Sequence, residues 1–476
     1  MQETSIPIDQ ASASPDDASV KSKPLTAEIP GEQGGLSLRA NFSWTFMGNV
    51  VYAACQWGLL VVLARFTSPE HVGQFSLGLA ITAPIVTFSN LGLRNVQASD
   101  TLRKHDFGHY LGLNLGLTVV AAVVIAAIAV AGGYARETAV VIAAVGLAKC
   151  IESVSDVFYG LLQQHERMDR IALSLIIKGV ASLPALGCVV YFTHSVLWGT
   201  LTLAVVWAAL LLTYDVRSGV LVLRTAYPDR RTQARSTQAS VLPLWQSSSM
   251  AQLAWIALPL GLTGTLGSLS PAIPRYVIAH YMGERDLGFY SAMAYLLIAA
   301  NTVVRALGQS GLPRLARSYA AGDLLGFRRL LAKQVGVVVG LSVLLVAIAA
   351  LAGAPLLTLI YGPTYATHAN VLYWIAVANV VVCLGVMLNY ALTSIRRFRV
   401  QLLQAAIATA ASAIASFVLI PRFGMVGAAI VPACAAGVQV VFASSVLIRA
   451  LKAAGNSHEG RFPMETLEVD AGEVDS

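Results

Sequence analysis

Apolar runs of about 20 residues recur along nearly the whole of this chain, from Trp44 to Leu447. A helical run of that length crosses about 30 Å of hydrocarbon. It also satisfies its own backbone polar groups, which lipid cannot do. Inside the runs stand helix formers and glycines, not alternating apolar and polar pairs, which argues against a β-barrel. Only 12% of the residues are charged, against about 25% in ordinary soluble proteins. The three soluble domains that a chain of 476 residues could otherwise hold are therefore excluded.

The runs predict an all-α integral membrane protein with twelve spans, near 44–64, 74–93, 108–132, 139–162, 171–192, 197–214, 251–270, 287–312, 335–353, 368–393, 399–420 and 425–447. The seventh is expected to end at Pro271 and Pro274. Residues 1–40 and 451–476 are Ser- and acid-rich tails that read as disordered, without a signal peptide. Residues 217–250, with Arg230, Arg231 and Arg235, read as a solvated linker between six-helix lobes at 41–216 and 251–450. Cys55, Cys150, Cys188, Cys383 and Cys434 lie in apolar runs without metal-ligand spacing.

The net charge of +7 would suit nucleic acid, but the basic residues fall in loops and so report topology instead. With both termini inside, 24 Lys/Arg lie on the cytoplasmic side and 5 on the other: Arg65, Arg136, Arg275, Arg285 and Arg422. That split predicts cytoplasmic termini.

Two stretches 215 residues apart read alike: Ala64-Arg-Phe-Thr-Ser-Pro-Glu-His-Val-Gly73-Gln-Phe-Ser76 and Ala279-His-Tyr-Met-Gly-Glu-Arg-Asp-Leu-Gly288-Phe-Tyr-Ser291. Each closes one span, turns, and opens the next with Gly-x-aromatic-Ser. A second landmark repeats as Asn90-Leu-Gly92-Leu and Gln309-Ser-Gly311-Leu. Six spans per half make the repeat parallel, the two halves sharing one orientation. The basic stretch Arg314–Lys333 fits either a helix lying on the cytoplasmic lipid surface or a connecting elbow.

A charge at bilayer depth costs about 2.5–3.5 kcal/mol and needs a partner, a water-filled cavity or a function. Span four carries Lys149, Glu152 and Asp156 on one helical face; span ten, its counterpart, has only uncharged polar residues. Lys178 lies in span five and Arg305 in span eight. The predicted site is a polar cavity between the halves. There Lys149, Lys178 and Arg305 neutralise an anionic head group, and Arg94 guides it in. Glu152 and Asp156 are candidate proton or sodium sites; the alternative for the group is a static salt-bridge network. Asn49, Gln56, Asn301, Asn379 and Asn389 read as interhelical glue. Trp44, Trp198, Trp245 and Tyr361 read as interface anchors. No Walker A pattern or catalytic constellation appears, so no enzymatic activity and no cofactor are expected.

Leu63-Ala-Arg-Phe66, Pro69-Glu-x-x-Gly73-x-Phe75, Phe88-Ser-Asn-Leu-Gly92-Leu, Ile273-Pro-Arg-Tyr276 and Leu359-Ile-Tyr-Gly-Pro363 together resemble the Wzx-type flippases. These are the polysaccharide biosynthesis proteins of the multidrug/oligosaccharidyl-lipid/polysaccharide exporter superfamily. The resemblance covers about residues 40–450. It implies two six-helix lobes in a V, as in multidrug exporters of that superfamily. It implies alternating-access transfer of an undecaprenyl-diphosphate-linked oligosaccharide, of an exopolysaccharide, capsule or O-antigen, across a bacterial inner membrane. It also implies a basic cavity, with membrane lipids, a polysaccharide polymerase and a chain-length regulator as partners and no nucleic acid. A cation-coupled multidrug exporter of the same fold and a non-transporting scaffold of a polysaccharide synthesis complex are the competing readings.

Overall fold

The structure is a computed structural model and describes residues 38–100, 104–226, 241–395 and 398–458. Most of the two predicted tails and of the linker, with Arg230, Arg231 and Arg235, lies outside the described residues; residues 451–458, read as part of the disordered tail, instead continue the last helix.

Every described element is helical. The first half comprises α1 (Leu38–Phe66), α2 (Pro69–Asn90), α3 (Leu93–Ser99), α4 (Phe107–Ala131), α5 (Arg136–Gln164), α6 (Met168–Thr193) and α7 (Val196–Leu210). A π-helical turn, Leu211–Asp215, carries α7 into α8 (Val216–Ala226). The second half comprises α9 (Ser247–Tyr281), α10 (Glu284–Ala320), α11 (Leu324–Ile360), α12 (Pro363–Ala366), α13 (Ala369–Ser394) and α14 (Phe398–His458). Eleven helical stretches among the described residues are long and apolar enough to cross a membrane. The last is two helices joined at Gly424, whose φ of 59° and ψ of −137° break the run. Gln404 Nε2 donates to Gln439 O at 3.2 Å, so the chain folds back there. The result is twelve spans in two parallel halves. Residues 38 and 458 share one face, here the terminal face; the duplicated hairpins stand on the opposite, far face.

Two bounds differ from the sequence reading. The seventh span does not end at its prolines: α9 runs through Pro259, Pro271 and Pro274 to Tyr281. Neighbouring helices tolerate what a lone helix would not. The sixth span likewise does not stop at residue 214 but continues to Ala226.

The halves also diverge at the repeated Gly-Leu landmark. In the first, Leu91 and Gly92 are both left-handed (φ 48° and 65°) and separate α2 from α3. In the second, Gly311 lies inside the 37-residue α10. The stretch Arg314–Lys333 is the end of α10, a turn with Gly322 at φ 72°, and the start of α11, where Asp323 accepts from Gly326 N at 2.7 Å. It is an elbow.

On the far face the two halves are sealed together. The Nε of Arg65 donates to Ile360 O at 2.8 Å, and its NH2 donates to Thr358 O at 3.3 Å and to Leu359 O. These carbonyls form the C-terminal turn of α11, where a cation is favoured. Trp57 Nε1 donates to Tyr361 OH at 3.0 Å, which donates to Ala292 O at 2.8 Å. Tyr361, read as an interface anchor, is instead 2% exposed beneath this seal. Thr138 donates to Glu284, and Arg285 pairs with Glu70 at 3.5 Å. On the terminal side α1 begins with exposed Phe42, Phe46 and Met47, while α10 exposes Arg305, Gln309 and Arg314. Exposed polar side chains on a membrane helix require water, and these stand toward the terminal face.

Candidate functional site

The site is built on α5. Its inward stripe reads Lys149, Glu152, Asp156 and Tyr159, at helical spacing. Helices α2, α3, α4, α6 and α7 all pack around α5. The exposure that remains to Lys149 and Glu152, 24% and 19% of their side chains, therefore opens into the space between the halves.

Lys149 Nζ bonds Glu152 Oε2 at 2.7 Å, and Tyr52 on α1 donates to Glu152 Oε1 at 2.5 Å. One turn toward the terminal face, Asp156 meets Arg94 of α3 at 3.7 Å. Arg94 also donates through Nε to Gln163 Oε1 at 3.0 Å and lies over the Tyr159 ring, 5.5 Å from its centroid. The double left-handed break at Leu91–Gly92 is what turns α3, and with it Arg94, toward α5.

Behind this stripe lies a fully buried layer. Lys178 on α6 is 0% exposed, with Nζ 5.4 Å from the Tyr159 centroid and 5.6 Å from that of Trp207. Lys149 shares the Trp207 ring at 5.4 Å. Cations over desolvated aromatic faces gain about 2 kcal/mol. Lys178 Nζ makes no hydrogen bond; its nearby counter-charge is Asp215 on the π-helical turn. Asp215, also 0% exposed, accepts from Ser174 Oγ at 2.6 Å, and Ser174 bonds the Tyr159 hydroxyl at 2.8 Å. Asp215 has no signal in a sequence-only reading beyond standing at the end of an apolar run. The π turn, a feature frequent at functional sites, is what rotates it inward.

The second half contributes one residue near Lys149. Arg275, read from sequence as an outer-loop residue, is inside α9, six residues before its end, or about 9 Å at helical rise. Its guanidinium lies 5.9 Å from the Tyr295 centroid, and its Nε is buried without a partner. Tyr295 is also an electrostatic neighbour of Lys149. Lys149 and Arg275 thus approach one ring from opposite halves.

Arg305 is placed differently from the rest. It is exposed on α10, 21 residues from Glu284, about 31 Å along the helix, near the terminal edge of the hydrocarbon layer. Its neighbour is Tyr390 of α13, and among the described residues no ion pair joins it to the α5 stripe. The counterpart of α5, α13, carries no charge on its inner face. There Asn379 donates to Cys383 at 3.2 Å, which contacts Asn301 at 3.4 Å, holding α10 to α13.

The carboxylates Glu152, Asp156 and Asp215 balance Arg94, Lys149 and Lys178 within the first half. Arg275 and Arg305 add positive charge from the second.

A family model described as "Polysaccharide biosynthesis protein" matches residues 38–319. The chain is 25% identical over 390 residues to the capsular polysaccharide biosynthesis protein CapF of Staphylococcus aureus, covering 82% of this chain and 94% of that one. Among solved structures it is similar to the lipid II flippase MurJ in an inward closed conformation (TM-score 0.68, 9% identity, 88% and 90% covered). It is also similar to an inward-facing multidrug resistance MATE family transporter of the MOP superfamily (TM-score 0.62, 13% identity, 88% and 96% covered).

Proposed function

Because the chain belongs to the family of polysaccharide biosynthesis proteins, we propose that it is a flippase moving a lipid-linked oligosaccharide, carried on undecaprenyl diphosphate, from the inner to the outer leaflet of a bacterial inner membrane. The observation that carries the reading is that Lys149 and Arg275, from opposite halves, both neighbour Tyr295, with the Arg275 Nε buried and without a hydrogen bond; we infer that a water-filled vestibule open to the terminal face reaches them. A diphosphate offers oxygens that both a guanidinium and an ammonium bind by charge-assisted bonds.

In this reading the terminal face is cytoplasmic. With Arg275 inside α9, the sequence count becomes 24 basic residues against 4, which supports that orientation. The head group enters past Arg305 and Arg94, and its charge settles between Lys149 and Arg275. Lys178 stands behind as a positioning residue, held over Tyr159 and Trp207. Glu152 and Asp156 are the proposed coupling sites, where a proton or sodium ion competes with the adjacent cations. Breaking the far-face seal then exposes the sugars to the opposite side. A polymerase and a chain-length regulator are the proposed partners downstream.

The test is flipping of a fluorescent undecaprenyl-diphosphate-linked sugar in proteoliposomes. We expect protein-dependent transfer that falls at least tenfold in Lys149→Ala plus Arg275→Ala. Transfer of a cationic drug, with none of the lipid-linked sugar, would instead favour a multidrug exporter.

A further inference from the structure

The first half encloses a second cavity, of about 340 Å³, on the far face. Its walls are the first turns of α2 and α5 and the turn between α6 and α7. None of its residues belongs to the vestibule. Valines and a leucine form one side; His71, Gln74, Arg136, Glu137, His194 and Ser195 supply the polar groups.

Gln74 is the informative member. It is 6% exposed, lines the cavity and makes no hydrogen bond to any described residue. Its amide borders the cavity, where water or a ligand can bond it. His71 Nδ1 faces Ser68 Oγ at 3.4 Å within its own turn, and His194 Nδ1 faces Phe66 O at the end of α1 at 3.2 Å. Arg136 and Glu137 are exposed at the rim and enter no ion pair among the described residues.

The repeat supplies an internal control. At the offset of 215, Gln74 corresponds to Phe289. Phe289 is 3% exposed, stacks on His368 at 4.2 Å and meets the edge of Tyr365 at 5.0 Å. The second half fills with aromatic rings the position at which the first half presents an amide to open space.

The polar set holds one guanidinium and one carboxylate, whose formal charges offset, beside an amide, a hydroxyl and two imidazoles. Glu137 repels a phosphate or carboxylate. Mixed donors and acceptors beside an apolar wall suit a hydroxyl-rich ring with a C–H face. The volume lies near the lower end of ligand sites, which span about 300–1,000 Å³. We propose that this far-face cavity binds a neutral sugar unit, held by Gln74, Arg136 and Glu137. The site stands apart from the transport reading and can fail or survive without it.

The test is saturation-transfer NMR on the full chain in detergent micelles, with methyl glucoside and N-acetylglucosamine as probes and glucuronate and inorganic phosphate as controls. We expect transfer to the neutral sugars and at least a tenfold weaker response in Gln74→Phe, which copies the second half. Glu137→Gln should weaken binding severalfold, and Lys149→Ala plus Arg275→Ala should leave it intact. No transfer to either neutral sugar, a stronger response to glucuronate or phosphate, or a signal that survives Gln74→Phe would overturn the proposal. Displacement of the probe by lipid-linked oligosaccharide alone identifies a transported head group as the source; displacement by the free oligosaccharide as well identifies released glycan. Displacement by neither overturns it.

Discussion

Gly73 and Gly288 each meet the backbone of the other's helix. A Cβ on Gly73 would overlap the carbonyl of Glu284, and a Cβ on Gly288 would overlap that of Pro69. Each contacted carbonyl lies four residues before the opposite glycine, so the crossing of α2 and α10 is a local two-fold. The repeated Gly of the two hairpins marks the tightest approach of the halves, where small residues let membrane helices pack.

Alanine at either glycine should therefore force α2 and α10 apart. Overpacking of this kind costs about 1–3 kcal/mol. Thermal unfolding in detergent should register the loss for Gly73→Ala and for Gly288→Ala. The double variant should lose less than the sum, because both relieve the same crossing. Strict additivity would refute the shared contact.

Arg65 should act as a latch. Its bonds to the Thr358, Leu359 and Ile360 carbonyls join α1 to α11 on the far face. Charge-assisted bonds contribute about 1.5–3 kcal/mol, so Arg65→Ala should raise the far-side-open population about tenfold or more. Spin labels on α1 and α11 would report the distance change by pulsed electron resonance; an unaltered distribution would count against the latch.

Glu152→Gln leaves Lys149 beside a neutral amide, and Lys149→Met leaves Glu152 unpaired. Breaking a buried pair costs about 3–5 kcal/mol. Here the loss should fall at or below the lower end, since water reaches about a fifth of each side chain. Combining the two should recover stability while transport stays low. A double variant that transports normally would reduce the pair to scaffolding.

The layer behind should behave as a unit. Asp215→Asn should destabilise more than Lys178→Met plus Asp215→Asn, because the single change leaves Lys178 buried between Tyr159 and Trp207 without Asp215, one of its three carboxylate neighbours. Melting temperatures of the two single variants and the double decide this, and equal losses would separate the two residues.

The spans, the parallel repeat and the charged stripe of α5 were legible, because apolar length and helical spacing are local properties. Arg275 was misplaced because Pro271 and Pro274 look like terminators, whereas packed membrane helices carry proline internally. Asp215 stands in sequence just past the sixth apolar run; a π turn and burial against α5 and α6 are not written in local composition. Lys178 and Arg305 were grouped because sequence conveys depth along a helix but not the azimuth of one half against the other. Tyr361 sits in a Tyr-Gly-Pro turn that resembles an interface, yet the opposite half covers it.

The unbroken α10 has a mechanical consequence. From Gly288 at the crossing to Ala320 it spans 32 residues, an arm of about 48 Å. A tilt of about 10° at that fulcrum carries the arm's end roughly 8 Å. α2, jointed at Leu91–Gly92, has no such reach. The second half is geared to amplify small displacements at the crossing, and the first to absorb them.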